Sequence, residues 1–138
     1  APVDRLTKWH RKLLDDMAET MYSADGVGLA APQIGKSLRI VVIDVQDENG
    51  LLELINPVIT MREGSVTDSE GCLSVPEVYG DVERAARVTV EYTDRRSRRR
   101  SLTAEGLLAR CIQHECDHLD GRLFIDIAVS LRKEEKRG

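Results

Sequence analysis

Residues 106–118, GLLARCIQHECDH, are the stretch that decides the fold. They contain an HExxH pattern, and a helix carries His114 and His118 one turn apart, so that both imidazoles reach one metal ion. Apolar residues of the same helix share another face: Leu108, Ile112, Cys116 and Leu119. The spacing therefore predicts a central helix with an apolar side for packing and a polar edge for chemistry. Five-residue patterns also arise by chance, so two hydrogen-bonded core histidines are the alternative.

The composition is that of one domain with one core, over residues 1–138, with 41% hydrophobic residues. The net charge of −4, from 24 acidic and 20 basic residues, argues against a general nucleic-acid binder, and no DNA partner is expected. Apolar runs are too short for a membrane span or a secretory signal, so no membrane partner is expected either. Three cysteines are too few for a disulfide framework. Reduced thiols in a bacterial-type cytoplasm or an organelle matrix are predicted.

The other segments alternate between helical and strand patterns. Apolar residues at helical spacing predict an amphipathic helix over residues 7–22. Apolar or alternating runs predict strands over residues 38–45, 51–55, 58–61, 87–92, 101–103 and 123–125. Gly121 should end the central helix, and a polar helix is predicted over residues 128–137. The predicted fold class is α+β, with antiparallel sheets around a central HExxH helix, an N-terminal amphipathic helix and a C-terminal helix.

A second candidate stretch for chemistry is EGCLSVP, residues 70–76. Cys72 follows a glycine and precedes a proline by four residues, which predicts a constrained loop that fixes the thiolate and orients nearby backbone N–H groups. Alone, such a residue is more often a buried structural cysteine. Two histidines at a catalytic metal need a third protein ligand, however, and leave one position for water.

Two cysteines compete for that third position. On a helix, Cys111 lies about 20° round the axis from His118, whereas Cys116 points to the opposite side. Helix geometry alone therefore leaves Cys111 open as a ligand. Cys72 comes from a separate loop and closes a tetrahedron more easily than a third ligand from the same helix.

The glycine-rich stretch GVGLAAPQIG, residues 26–35, permits tight turns and a close approach of another main chain or a ligand. A nucleotide-binding loop is a poor alternative, because the Lys-Ser/Thr ending of a P-loop is missing and a helix precedes the stretch. Gln33 is the side chain here with an amide to offer. A plain glycine-rich connection with a solvated glutamine is the alternative reading.

Five arginines crowd the segment from Arg95 to Arg100. A solvated hairpin tip is the leading interpretation of this charge run. A contact with phosphate or RNA is the alternative, because the cluster is strongly basic within an acidic chain.

Three motifs in this order and spacing resemble those of peptide deformylases: GVGLAAPQ, EGCLS and QHECDH. The resemblance extends over residues 13–124. It implies a metal-dependent hydrolase that removes the formyl group from formylmethionine at the N terminus of newly made polypeptides and releases formate. It also implies N-formyl-methionyl peptides as substrates and the ribosome, near its exit tunnel, as a partner. Family members usually have an extended segment before the first helix, where this chain has residues 1–6.

The resemblance also implies a role for each motif residue. The metal ligands would be Cys72, His114 and His118, and the metal Fe²⁺, which Zn²⁺, Ni²⁺ or Co²⁺ can replace; the residues alone would suggest zinc. Glu115 would carry the proton from water to the leaving amine. The Gln33 amide and the Leu73 backbone N–H would stabilise the developing oxyanion.

The remaining implied roles concern substrate and support. The methionine side chain would lie among Val27, Leu107 and Cys111, and backbone near Gly28 would pair with the peptide as an added strand. Glu70 would pair with Arg84 and fix the loop of Cys72. Two rival functions are a general zinc peptidase, which the cysteine ligand and Gln33 disfavour, and a ribosome-associated binding protein with a degenerate metal site, which the intact Glu115 disfavours.

Overall fold

The computed structural model describes residues 1–72, 75–121 and 130–133, with backbone alone for residues 68–72, 75–82 and 130–133. Its helices are α1 (Lys8–Ser23) and α2 (Gly106–Leu119), and a short 3-10 helix spans Ala31–Ile34. Its strands are β1 (Gly28–Ala30), β2 (Ile40–Ile43), β3 (Leu52–Glu63), β4 (Val66–Cys72), β5 (Val75–Arg84), β6 (Arg87–Thr93), β7 (Arg99–Glu105) and β8 (Ser130–Lys133).

All strand pairs described are antiparallel and form two sheets. The larger sheet has the order β1-β2-β3-β6-β7, and the smaller has the order β4-β5-β8. Strand β1 is therefore an edge of the larger sheet, and Gly28 pairs with Ile43 there. No helix in the described part of the chain is long and apolar enough to cross a bilayer.

The two helices pack on opposite faces of the larger sheet. All four residues of strand β2 are buried. Because successive side chains of a strand point to opposite sides, β2 is buried on both faces. Val41 and Ile43 join the core cluster that contains Ile112 of α2. Ile40 and Val42 join the other cluster, which contains the apolar face of α1: Leu13, Leu14, Met17 and Met21. The apolar stripes predicted for both helices are thus the surfaces that build the core.

Most predicted elements are confirmed. The helix predicted over residues 7–22 is α1, and the hairpin of residues 38–45 and 51–55 is the β2–β3 pair. Residues 87–92 and 101–103 lie in β6 and β7, which pair with each other. The central helix ends at Leu119, and Gly121 adopts a φ of 76°, as expected for a glycine after a helix.

The predicted C-terminal helix is wrong at Ser130–Lys133, which form strand β8 and pair with β5. Hydrogen bonding to a sheet edge overrides the helical propensity of this short run, as tertiary context often does. The other residues predicted for that helix, and the strand predicted over residues 123–125, lie outside the described residues.

The strands predicted separately over residues 51–55 and 58–61 form one strand, because β3 continues through Asn56 and Pro57 to Glu63. The register with β6 shifts between Ile55 and Val58, so Pro57 lies at an irregularity where it removes no ladder hydrogen bond. The hairpin of β4 and β5 was missed, since its glycine-containing, polar sequence does not alternate clearly.

Candidate metal centre

The two histidines of α2 are arranged as two ligands of one ion would be. Their Nε2 atoms are 3.2 Å apart, and their rings are inclined by 72°. Two imidazole nitrogens bound to a tetrahedral ion at the usual bond lengths lie about 3.3 Å apart. The HExxH spacing therefore brings the two Nε2 atoms to a separation at which both can bind one ion, as predicted.

Glu115 lies beside this pair. Its side chain is buried with 3% of the residue exposed, and its Oε1 is 3.9 Å from Nε2 of His118. One ligand atom from each of His114, Glu115 and His118 falls within 4.8 Å of the others. A carboxylate at this distance can exchange a proton with a molecule held between the histidines.

Gly28 makes room for that carboxylate. A β-carbon built on Gly28 would lie 2.8 Å from Oε2 of Glu115 and 3.0 Å from its Cγ. The backbone of Gly28 is not in the left-handed region, so space rather than conformation calls for glycine here. The first and third motifs therefore meet at this contact.

Gln33 lies in the 3-10 helix, which packs against α2. Its Oε1 accepts a hydrogen bond from the backbone N–H of Ala30 at 2.8 Å. An amide held through its oxygen directs its NH₂ group along a set line. This geometry is compatible with the donor role that the resemblance implies for Gln33.

The cysteine predicted as third ligand ends strand β4. The backbone of Cys72 pairs with Val75 after a register shift at Gly71, so it lies at a strand end rather than in an open loop. Its side chain, like Leu73 and the side chain of Glu70, lies outside the described residues. Those three predictions, including the pair of Glu70 with Arg84, stay predictions.

The other two cysteines lie on α2 and are both buried. Burial raises the pKa of the Cys116 thiol to about 12, and its position in the core cluster makes it a packing residue. Cys111 is 8% exposed and belongs to the same cluster. It can therefore line an apolar pocket, and the choice between Cys72 and Cys111 as a ligand is untested by the residues described.

Two of the residues predicted around the substrate side chain are exposed. Val27 immediately precedes β1 and is 41% exposed, and Leu107 in the first turn of α2 is 56% exposed. Exposed apolar side chains of this kind are available for contact with a ligand. Among the described residues, β1 pairs with β2 alone, which leaves the outer side of Gly28–Ala30 for a further strand.

Polar residues on one face of α2 connect this helix to the smaller sheet, and sequence reasoning missed their contacts. Arg110 Nη2 donates to the Val66 carbonyl at 2.8 Å, and the carboxylate of Asp117 pairs with Arg84. Gln113 bonds to the backbone of Ala85. Arg110, Gln113 and Asp117 recur at helical spacing, which was the available signal. These bonds hold the hairpin that carries Cys72 against the helix that carries the histidines.

The arginine-rich turn is largely occupied by internal ion pairs. Arg95 bonds to Glu53 at 2.7 Å and to Asp15 at 2.6 Å, joining β3 to α1. Arg98 and Arg100 each bond to Asp94 at 3.0 Å. Much of the positive charge is thus neutralised within the fold, which weakens the phosphate or RNA interpretation.

Comparisons with known proteins agree on one family. The model of the family described as polypeptide deformylase matches residues 1–134. A peptide deformylase of Pelotomaculum thermopropionicum is 61% identical over 122 residues, covering 88% of this chain and 77% of that protein. One from Desulfitobacterium hafniense is 56% identical over 127 residues, covering 92% and 83%.

Solved structures give the same result. A peptide deformylase of Synechococcus elongatus in complex with actinonin superposes with a TM-score of 0.89 at 50% identity, covering 93% of this chain and 72% of that one. The peptide deformylase of Thermotoga maritima gives 0.88 at 44% identity, covering 92% and 86%. The antiparallel α+β architecture is therefore shared with these proteins.

Proposed function

From the premise that this chain belongs to the polypeptide deformylase family, we propose that residues 1–138 act as one catalytic domain. We further propose that its metal ligands are Cys72, His114 and His118. As a family member the chain is a metal-dependent hydrolase that removes the N-formyl group from newly made polypeptides. The observation that supports the proposed site best is the 3.2 Å separation of the two histidine Nε2 atoms, with a buried carboxylate beside them.

The donor set fits a divalent transition metal, because two imidazoles and one thiolate are ligands that such ions accept. When bound, the ion lowers the pKa of a coordinated water towards neutrality. We propose Fe²⁺ as the metal, with Zn²⁺, Ni²⁺ or Co²⁺ able to replace it, on the strength of the family resemblance.

Glu115 is the proposed proton carrier. It accepts a proton from the attacking water and delivers it to the nitrogen of the leaving amine, so that formate and a free N-terminal amine are formed. Its burial beside His118 keeps the carboxylate close to the point of attack. The contact of Glu115 with Gly28 supports this role, because Gly28 lies on the strand edge proposed to receive the peptide.

The oxyanion that develops on the formyl group needs donors that are fixed in advance. We assign this role to the Gln33 amide and to the backbone N–H of Leu73. The hydrogen bond from the Ala30 N–H supports the assignment of Gln33, because it limits rotation of the amide. Each such donor contributes about 3 kcal/mol in comparable sites.

The substrate would bind as a strand added to β1, with backbone near Gly28 as its partner. The methionine side chain would contact Val27, Leu107 and Cys111. The exposure of Val27 and Leu107 supports this assignment, because removal of exposed apolar side chains from water by a ligand is favourable.

The setting of the reaction follows from the substrate. Formylated polypeptides are produced where translation starts with formylmethionine, so we place the protein in a bacterial-type cytoplasm or an organelle matrix. The ribosome near its exit tunnel is the source of the substrate and the proposed partner. The internal pairing of Arg95, Arg98 and Arg100 gives no support for that turn as the ribosome contact.

The test is formate release from a formyl-Met-Ala peptide by Fe²⁺-loaded protein purified without oxygen. Glu115→Ala should abolish turnover while metal content, measured by elemental analysis, stays at the parental level. Glu19→Ala, which removes an exposed carboxylate on α1, is the matched control and should retain parental turnover. Absence of formate release from metal-loaded parent protein would overturn the assignment.

A further inference from the structure

The contact between Gly28 and Glu115 is closer than any side chain at position 28 would allow. A β-carbon there would lie 2.8 Å from Oε2, 3.0 Å from Cγ and 3.1 Å from Cδ of Glu115. Non-bonded carbon atoms have their optimal separation at about 3.5–4.0 Å, so Cγ and Cδ could not stay in place, and Oε2 lies closer still. The glycine thus leaves a space that the distal half of the glutamate side chain fills.

The glutamate side chain has little freedom to move away. It is 3% exposed, its Oε2 is the atom closest to Gly28, and its Oε1 lies 3.9 Å from the Nε2 of His118. Helical backbone restricts χ1 of Glu115, and close packing restricts the remaining rotamers. A methyl group at position 28 would therefore push the carboxylate towards the histidines or turn it out of its present direction.

We propose that Gly28 is a positioning residue for Glu115. Because position 28 has no side chain, the carboxylate of Glu115 can occupy the place from which it transfers the proton. This inference rests on the proposed role of Glu115. Because the backbone at Gly28 also lies on the edge that would receive the peptide, one residue aligns the substrate strand and the proton carrier with each other. A displacement of about 1 Å in such a group can lower a rate by about 100-fold.

A different explanation of Gly28 makes a different prediction. If glycine were needed only for close approach of the peptide, Gly28→Ala would raise KM and leave kcat unchanged. If it positions Glu115, the same variant lowers kcat by about tenfold or more, with a smaller change in KM. The two explanations are therefore separated by steady-state kinetics.

A kinetic double-mutant cycle with Glu115→Asp sharpens the test. Aspartate is shorter by one methylene, so it has no atom at the position of Oε2, the atom of Glu115 that lies closest to the built β-carbon, although it keeps a Cγ. We expect Gly28→Ala to lower kcat by a smaller factor in the Glu115→Asp background than in the parent, because the closest of the clashing atoms is gone. Additive losses would overturn the proposal, as would a parental kcat in Gly28→Ala.

Stability provides a readout that does not depend on activity. Gly28→Ala should lower the Tm of the parent and lower it less in the Glu115→Ala background, where the clashing atoms are gone. Gly50→Ala, which lies in a turn with no atom near its β-carbon and a φ of 61°, is the control: it should lower Tm without lowering kcat. Equal Tm losses in both backgrounds would overturn the proposal.

The crystal structure of Gly28→Ala completes the experiment. A displaced Glu115 carboxylate with the histidines unmoved is the expected result, and an unmoved carboxylate contradicts the inference. Should the metal-loaded parent release no formate, the proposed function fails, and the stability cycle and this structure still decide whether Gly28 sets the position of Glu115.

Discussion

The side chain of Gln113 forms hydrogen bonds with both the backbone N–H and the carbonyl of Ala85. Its Oε1 accepts the Ala85 N–H at 2.9 Å, and its Nε2 donates to the Ala85 carbonyl at 2.9 Å and to the Ala109 carbonyl at 3.0 Å. The side chain thus supplies the pair of bonds that a neighbouring strand would supply. Because Ala85 connects β5 to β6, this glutamine joins α2 to the connection between the two sheets.

We predict that Gln113→Ala lowers the free energy of unfolding by about 2 kcal/mol, since it removes three hydrogen bonds from a residue that is 3% exposed. Gln113→Glu is the matched control, because it keeps an acceptor for the Ala85 N–H and removes the donors. An intermediate stability is expected for it. Urea unfolding measures both, and a loss below about 0.5 kcal/mol for Gln113→Ala would show that water replaces these bonds without cost.

Metal removal should reveal the link between the metal centre and the fold. Ligand binding to the native state stabilises it by about 4 kcal/mol at a free concentration a thousand times the Kd. We therefore expect a chelator to lower the Tm of the loaded protein, and added Fe²⁺ or Zn²⁺ to restore it. His118→Ala should remove most of that metal-dependent increase in Tm. His10→Ala, which alters a partly exposed residue of α1 that is bonded to Thr7, should keep the increase.

The contrast between local and distant information explains what the sequence could predict. Apolar spacing predicts α1 and α2 correctly because it is read within one helix, and the HExxH spacing places His114 beside His118 for the same reason. The space for Glu115 at Gly28 and the bonds of Gln113 to Ala85 arise between segments that are far apart along the chain. No local pattern contains such information.

Strand limits that depend on a partner strand were the least predictable features of the fold. Strand β8 forms because Ser130–Lys133 meets an edge of β5, and the passage of β3 through Pro57 depends on a register shift against β6. Both outcomes are set by the partner strand rather than by the residues themselves. The same holds for Arg84, whose pairing with Asp117 only the folded arrangement reveals.

The lowered pKa of the Asp94 carboxylate should make the stability of the fold depend on pH. Burial opposes its ionisation, but hydrogen bonds from the Arg98 and Arg96 backbone and from the Arg100 and Arg98 guanidinium groups outweigh burial and lower its pKa to about 2. A pKa lowered from 3.8 contributes stability above pH 4, and that contribution is lost as the pH falls towards 2.

We therefore expect Asp94→Asn to lower the free energy of unfolding by about 1 kcal/mol at pH 7, since exposure of the partner arginines to solvent screens the charges. The difference between parent and variant should shrink from pH 4 to pH 3 in urea unfolding. Asp4→Asn, at an exposed position, is the control and should show no such difference. A difference that persists unchanged at pH 3 would contradict the lowered pKa.

Arg95 offers the last prediction, because it is the arginine of the turn that joins two other elements. Its Nε and Nη2 both bond to Glu53 of β3, at 2.8 and 2.7 Å, and Nη2 also reaches Asp15 of α1. A two-pronged bond of this kind is stronger than an ordinary surface pair, and Glu53 is only 15% exposed.

Arg95→Ala should therefore lower the free energy of unfolding by about 1–2 kcal/mol, whereas Arg96→Ala, at an exposed position of the same turn, should change it by less than about 0.5 kcal/mol. Arg95→Lys should recover only part of the loss, because an ammonium group cannot reproduce the planar fork. Thermal and urea unfolding at low and high salt measure these differences. Equal effects of Arg95→Ala and Arg96→Ala would mean that the turn contributes net charge and no specific bond between α1 and the larger sheet.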